Sequence, residues 1–215
     1  MSESKIPDQT LVWNKKHGNG EHEKLRYDPS PLSVLAKDYF PEKSELLELG
    51  CGVGRDAVVF QDAGHAVTAT DSSEVVIVQN KDKFDEGGVI FDVLDMQHEL
   101  PYDSNRFDVV YANLSLHYYL DGKTKEIIEE ISRVLKAGGI FAFACKSHDA
   151  QRTAGADVVE SNVYVAKSGH VTHMFSIDYS KSLLKNDFTI EYIDEVDEEY
   201  LGRVSGIVRC IASKK

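Results

Sequence analysis

Hydrophobic positions along the chain fall in short unbroken runs, separated by stretches in which they recur at helical spacing. "ELLELG" (45–50), "AVTATD" (66–71), "VIFDVLD" (89–95), "FDVVYANL" (107–114) and "GIFAFACK" (139–146) read as buried strands rich in β-branched and aromatic residues. Between them, residues 54–63, 73–84 and 123–136 read as helices; the first closes at Gly64 and the last at "AGG". In the last, Ile127, Ile128, Ile131, Val134 and Leu135 form one apolar stripe. "LSVLAKDYF", after Pro31, predicts an earlier helix that Pro41 stops. Alternation of strand and helix predicts a parallel sheet covered on both faces.

The C-terminal part departs from this alternation. Residues 189–197 and 204–213 read as two strands joined by a short turn, an antiparallel hairpin at the sheet edge. The fold class expected is therefore α/β: a doubly wound, mostly parallel sheet of seven strands with a C-terminal antiparallel edge hairpin. Residues 148–187 read as a polar, irregular insertion, apart from a second hairpin around "SG" in "VYVAKSGHVTHMF". Residues 1–28 read as an N-terminal arm with little periodicity, leaving 29–215 as the domain. Trp13, the only tryptophan, sits in that arm with Tyr27, which suggests that part of it folds over a site as a lid.

Composition narrows the partners. With 36 acidic and 24 basic residues the formal charge is -12, which works against a nucleic-acid backbone as partner and leaves a cationic ligand unrepelled. No apolar run approaches the ~20 residues of a membrane helix, and "MSESKIPDQT" lacks a secretory profile, so the expectation is a cytoplasmic protein without a membrane partner. Cys51, Cys145 and Cys210 are odd in number and outside CxxC spacing; they read as reduced, buried thiols.

The chemistry concentrates where the first strand turns through Gly50, Gly52 and Gly54 into a helix. Such a turn presents backbone N–H groups and a positive helix end to a ligand, although glycines this close also read as a plain tight turn. A dinucleotide fingerprint needs its third glycine where Arg55 stands, and Glu48 would repel a pyrophosphate. Asp71 ends the second strand, 21 residues after Gly50, where an acid accepts from ribose hydroxyls; it also suits an N-cap for the helix near Ser73. Asp95 ends the third strand, followed by Met96, and reads alternatively as a turn residue. A nucleoside with a positively charged appendage fits a crevice lined by these acids.

These segments resemble the class I S-adenosylmethionine-dependent methyltransferases. "LELGCGVGR" resembles the family's first motif, "TATDSS" the acidic end of its second strand, "DVLDM" the adenine-contacting segment, "FDVVYANLSLHYY" its fourth motif, and "ISRVLKAGGIFAFA" the helix and strand that follow. The resemblance covers about residues 30–150 and extends to the hairpin by topology. It implies S-adenosylmethionine as cofactor and S-adenosylhomocysteine as product. Gly50, Cys51 and Gly52 would pass against the methionyl part, with Glu48 supporting the loop or approaching its amino group. Asp71 with Ser72 would take the ribose, Asp95 the adenine amino group and Met96 the ring. Asn113 or Leu114 would offer backbone, and Gly54 and Arg55 lie at the helix start. In layout the chain is also loosely similar to small methyltransferases of the tellurite-resistance and thiopurine type.

Methyl transfer from a sulfonium needs alignment and exclusion of water but no compulsory catalytic residue. His117 and Tyr118, with Tyr119, follow Asn113 at the rim where such sheets bind substrate, and His117 is a candidate base or substrate contact. Lys146, His148 and Arg152 follow strand five and are candidates for an anionic substrate group; otherwise they are solvated loop charges. His170 and His173 would point to opposite faces of a strand, so no metal is expected. "NLSL" stands where enzymes that methylate amino groups of bases or glutamine carry "NPPY" or "DPPY", which with the acidic charge favours a small-molecule acceptor. Two competing readings are a nicotinamide-dependent oxidoreductase and a methyltransferase-like protein that binds without catalysis.

Overall fold

The computed structural model describes residues 6–20, 22–25, 28–84, 87–148, 153–200 and 202–215. Five parallel strands, β1 (Glu45–Leu49), β2 (Ala66–Asp71), β3 (Ile90–Val93), β4 (Phe107–Asn113) and β5 (Leu135–His148), join β9 (Phe188–Tyr200) and β10 (Arg203–Lys214) in a seven-stranded sheet. The order is β3-β2-β1-β4-β5-β10-β9, with β10 antiparallel to both of its neighbours. Chain direction across the sheet reverses between β1 and β4, so the crevice at their C-terminal ends is the topological switch point.

Successive residues of a strand point to opposite faces, and both faces here are covered, which is why the strands read as continuous apolar runs. Leu47, Val110, Phe141 and Phe143 pack on one side with Ile127, Ile128 and Ile131 of α5 (Asp121–Val134). Leu46, Val109, Tyr111 and Ala142 pack on the other with residues of α2 (Pro31–Ala36), α3 (Arg55–Asp62) and α4 (Glu74–Lys83). The "AGG" stretch proves to be the entry of β5: α5 stops at Val134, and the β4–β5 register shifts between Phe107 and Val109.

Two regions differ from the sequence reading. The arm contains a helix, α1 (Gln9–Gly18), started by Asp8, whose side chain accepts from Thr10 N. Its one buried residue is His17, so no apolar stripe announced it. The stretch read as irregular holds β6 (Asp157–Glu160), β7 (Val163–Val165) and β8 (Val171–His173) in a three-stranded antiparallel sheet, then α6 (Ile177–Leu184). The expected hairpin around "SG" is β7–β8. Helix α6 was hidden by its length of 8 residues, too short for a periodicity to declare itself; its Leu184 is fully buried in the first core.

Candidate active site

A cavity of about 350 Å³ lies across the strand tips under α1. Its floor begins at the β1–α3 loop, where Gly50, Gly52 and Gly54 all have positive φ (79°, 50° and 77°). Gly50 and Cys51 donate their N–H groups to Thr70 O at 2.8 Å each, pulling the loop onto β2. A Cβ on Gly50 would stand 2.4 Å from Ser115 Cβ, so only glycine fits.

Asp71 fastens the next turn. Its Oδ2 accepts from Gly52 N and its Oδ1 from Ser73 N, both at 2.9 Å. The N-cap of α4 is Ser73 itself, not Asp71. Burial pushes the Asp71 carboxyl up, against the opposing pull of His17. Ser72, Leu94, Asp95 and Met96 continue the wall. Asp95 accepts from Gln97 N at 3.1 Å, while Met96 is buried beside Gly50.

On the same side of the sheet as Tyr111, Glu48 is 2% exposed, and its Oε2 is buried without a hydrogen-bond partner at the cavity wall. Burial, reinforced by the nearby Asp56 carboxylate, holds its pKa well above the usual carboxylate range. Asp56 itself is enclosed: it accepts from Ser30 N (2.9 Å), Ser30 Oγ (2.7 Å), Tyr111 OH (2.8 Å) and Asn113 Nδ2 (3.3 Å). Nothing in the sequence singled out this network, because its members are up to 83 positions apart. Asn113 and Leu114 line the cavity; Leu114 takes φ 54° and donates its N–H to Ala144 O at 2.9 Å. Arg55 begins α3 and donates to the Asp28 carbonyl at 3.2 Å.

The sequence placed His117 at the rim, but it is fully buried and does not line the cavity. The chain enters a short helical turn, Leu116–Tyr118, which rotates His117 inward and leaves Tyr118 and Tyr119 on the wall. Of the candidates expected after strand five, Lys146 and His148 are still in β5, which runs on to His148 because β10 pairs along it; Lys146 lines the cavity, His148 is an exposed partner of Glu195 and Asp197, and Arg152 lies outside the described residues, as does Tyr27. His170 packs on Trp13 at 5.0 Å, whereas His173 packs on Tyr179 at 4.7 Å, so the two imidazoles serve different clusters. Among the described residues no group of three or more His, Cys, Asp or Glu is arranged to hold a metal ion, and no helix is long and apolar enough to cross a membrane.

Helix α1 roofs the cavity and is tied at two points. Gln9 binds the β7–β8 turn, donating to Gly169 O (3.0 Å) and accepting from Val171 N (3.1 Å). Asn14 accepts from Ser73 Oγ at 2.8 Å, beside Asp71. Trp13 lies between, its ring 4.8 Å from Tyr118 and within 6 Å of His17 and His22.

Residues 47–143 match the family model described as a methyltransferase domain. An uncharacterized methyltransferase of Synechocystis is 30% identical over 117 residues, covering 54% of this chain and 52% of its own. The mRNA cap guanine-N(7) methyltransferase of Schizosaccharomyces pombe is 29% identical over 125 residues, 51% of this chain and 35% of its own. The chain thus spans about half or less of these relatives. A S-adenosylmethionine-dependent methyltransferase of Methanosarcina mazei shares the fold with TM-score 0.76 at 23% identity, covering 87% of this chain and 98% of its own. So does the 1,6-didemethyltoxoflavin-N1-methyltransferase of Burkholderia thailandensis, solved with 1,6-didemethyltoxoflavin and S-adenosylhomocysteine (TM-score 0.74, 21% identity, 96% and 89% covered).

Proposed function

We propose that this protein is a class I S-adenosylmethionine-dependent methyltransferase that methylates a small-molecule acceptor, with the strand-tip cavity as its site, a reading supported by the methyltransferase-domain match over residues 47–143. The observation that carries this is the buried, partnerless Glu48 Oε2 beside a loop of left-handed glycines. A carboxyl so enclosed is the partner an incoming ammonium needs, and a pyrophosphate would be repelled by its ionised form.

The residues fit the cofactor end to end. Glu48 receives the methionyl ammonium, while Gly50, Cys51 and Gly52 let the methionyl chain lie against backbone. Asp71, already oriented by two backbone amides, has lone pairs left for ribose hydroxyls, with Ser72 beside it. Asp95 and Met96 take the adenine edge and face, Asn113 and Leu114 border the methionyl end, and Gly54 permits the turn into α3 that Arg55 begins. When bound, the cofactor supplies a methyl group whose bond to sulfur breaks, electrons remaining on sulfur, as the acceptor's lone pair bonds the carbon.

The chain's own residues then have to align the acceptor and keep water out. Tyr118 on the wall and Trp13 in the roof serve this; His117 sits too deep to touch an acceptor. A roofed cavity of about 350 Å³ suits a small molecule, and the charge of -12 opposes a nucleic-acid strand. Calorimetric titration with S-adenosylhomocysteine, with NADH in parallel, tests the reading. Micromolar binding of the first alone is expected; binding of NADH alone overturns it.

A further inference from the structure

The order of the sheet divides the cavity into two ends. Its walls come from the tips of β3, β2, β1, β4, β5 and β10, strands that stand side by side in that order. The cofactor reading, on which this inference rests, fills the β3, β2 and β1 end. At a strand spacing of about 4.8 Å, the tip of β5 lies roughly 10 Å beyond that of β1, in the space left for the acceptor.

Two polar side chains meet there. Lys146 on β5 is 3% exposed and Ser205 on β10 is 2% exposed; Lys146 Nζ donates to Ser205 Oγ at 2.8 Å, and both line the cavity. Lysine is among the residues most rarely buried, and here the ammonium is carried inward by a strand whose preceding residues on the same face, Ala142 and Ala144, are small. The other cations of the wall are differently placed: Arg55 on the Asp28 carbonyl, Lys16 over the Trp13 ring at 5.0 Å. Trp13 and Tyr118, which line the same cavity, meet edge to face and offer aromatic surface.

We infer that the methyl acceptor is a small aromatic or heteroaromatic acid. Its single carboxylate binds Lys146 and Ser205, its ring lies against Trp13 and Tyr118, and its nucleophilic atom faces Asn113 at the tip of β4. One ammonium and one hydroxyl match one carboxylate. A dianionic phosphate would meet the acids Glu48, Asp56, Asp71 and Asp95 that line the same cavity. Because β4 and β5 are neighbours about 5 Å apart, the nucleophilic atom stands within about one ring of the carboxylate.

The test is ligand-observed NMR on the protein saturated with S-adenosylhomocysteine. The probes are hydroxy- and amino-substituted aromatic and heteroaromatic carboxylic acids, mixed with their matching carboxamides. Acids are expected to bind about tenfold or more tightly than their amides, a preference lost in Lys146→Met, largely kept in Lys146→Arg and weakened a few-fold in Ser205→Ala. Unchanged S-adenosylhomocysteine binding by each variant shows that it is folded. Equal binding of acids and amides, acid binding that survives Lys146→Met undiminished, or no acid binding at all would each overturn the inference. If wild-type protein fails to bind S-adenosylhomocysteine, the cofactor reading falls first and takes this inference with it.

Discussion

The two ends of the cavity are built in different ways. The β1–β3 end is assembled from residues 48–96, each turn held by bonds between neighbouring strands: Gly50 and Cys51 to Thr70, Gly52 to Asp71. The β4–β10 end draws on Lys146 and Ser205, and Trp13 and Tyr118 line the same cavity; these side chains come from segments far apart in the chain and meet only through tertiary packing. A site made of adjacent turns is fixed by local backbone geometry, so its composition is constrained position by position. A site made of distant segments is fixed by packing, and its side chains can vary with the ligand.

The sharpest way to break the first end is Gly50→Ala. The new Cβ would collide with Ser115 in a left-handed backbone that alanine disfavours, so a loss of about 3 kcal/mol or more is expected in urea unfolding. Nucleotide binding should vanish with it. Asp71→Ala follows: it leaves Gly52 N and Ser73 N without their acceptor and removes the proposed ribose partner. S-adenosylhomocysteine affinity should fall about 100-fold by calorimetry, and acceptor-end substitutions such as Ser205→Ala should leave it within about twofold.

Glu48 gives this end a pH signature. Groups facing it are Arg55 and Asp56 from α3, Asp71 from β2, Cys51 in the loop and Tyr111 from β4. With its folded pKa raised, the folded state holds a proton that the unfolded state has released. Its stabilising contribution is therefore complete below the usual carboxylate pKa and is lost as pH rises toward the folded value. Glu48→Gln should flatten that decline in a pH series of urea melts. In the wild type, an ammonium arriving at Glu48 should lower its raised pKa, so in a pH series the heat of S-adenosylhomocysteine binding should vary with the buffer's ionisation enthalpy where the carboxyl gives up its proton on binding. In Glu48→Gln that dependence should disappear, and affinity should drop about tenfold.

The difference in construction also governs what the sequence made legible. The five parallel strands, the three helices between them and the edge hairpin were readable because burial on both faces writes itself as apolar runs, and burial on one face as a stripe. Gly50, Asp71 and Asp95 were readable because turns at strand ends leave residue-specific marks. Helix α1 was not: its hold on the protein is Gln9, Trp13 and Asn14 meeting partners across the fold, and none of these is a helix signal. The Ser30–Asp56–Tyr111 network was hidden for the same reason. His117 was misplaced because a single helical turn decides which of three consecutive side chains faces inward.

Helix α1 touches both ends, which allows the comparison to be made within one element. Asn14 ties it to Ser73 beside Asp71, and Gln9 ties it to the β7–β8 turn. If the ends are separately built, cutting the ties should have separate consequences. Asn14→Ala should weaken S-adenosylhomocysteine binding by about three- to tenfold, because one hydrogen bond near the ribose end is lost. Gln9→Ala should leave that affinity unchanged and loosen the roof over Tyr118, where Trp13 packs edge to face at 4.8 Å. Since Trp13 is the only tryptophan, its fluorescence reports on the roof alone: a red shift and easier quenching by acrylamide are expected for Gln9→Ala in the empty protein. Addition of S-adenosylhomocysteine should leave that shift in place, because a nucleotide whose affinity does not depend on the roof cannot restore it. Equal loss of nucleotide affinity in both variants would show that α1 acts as one rigid cover and that the two ends are not independent.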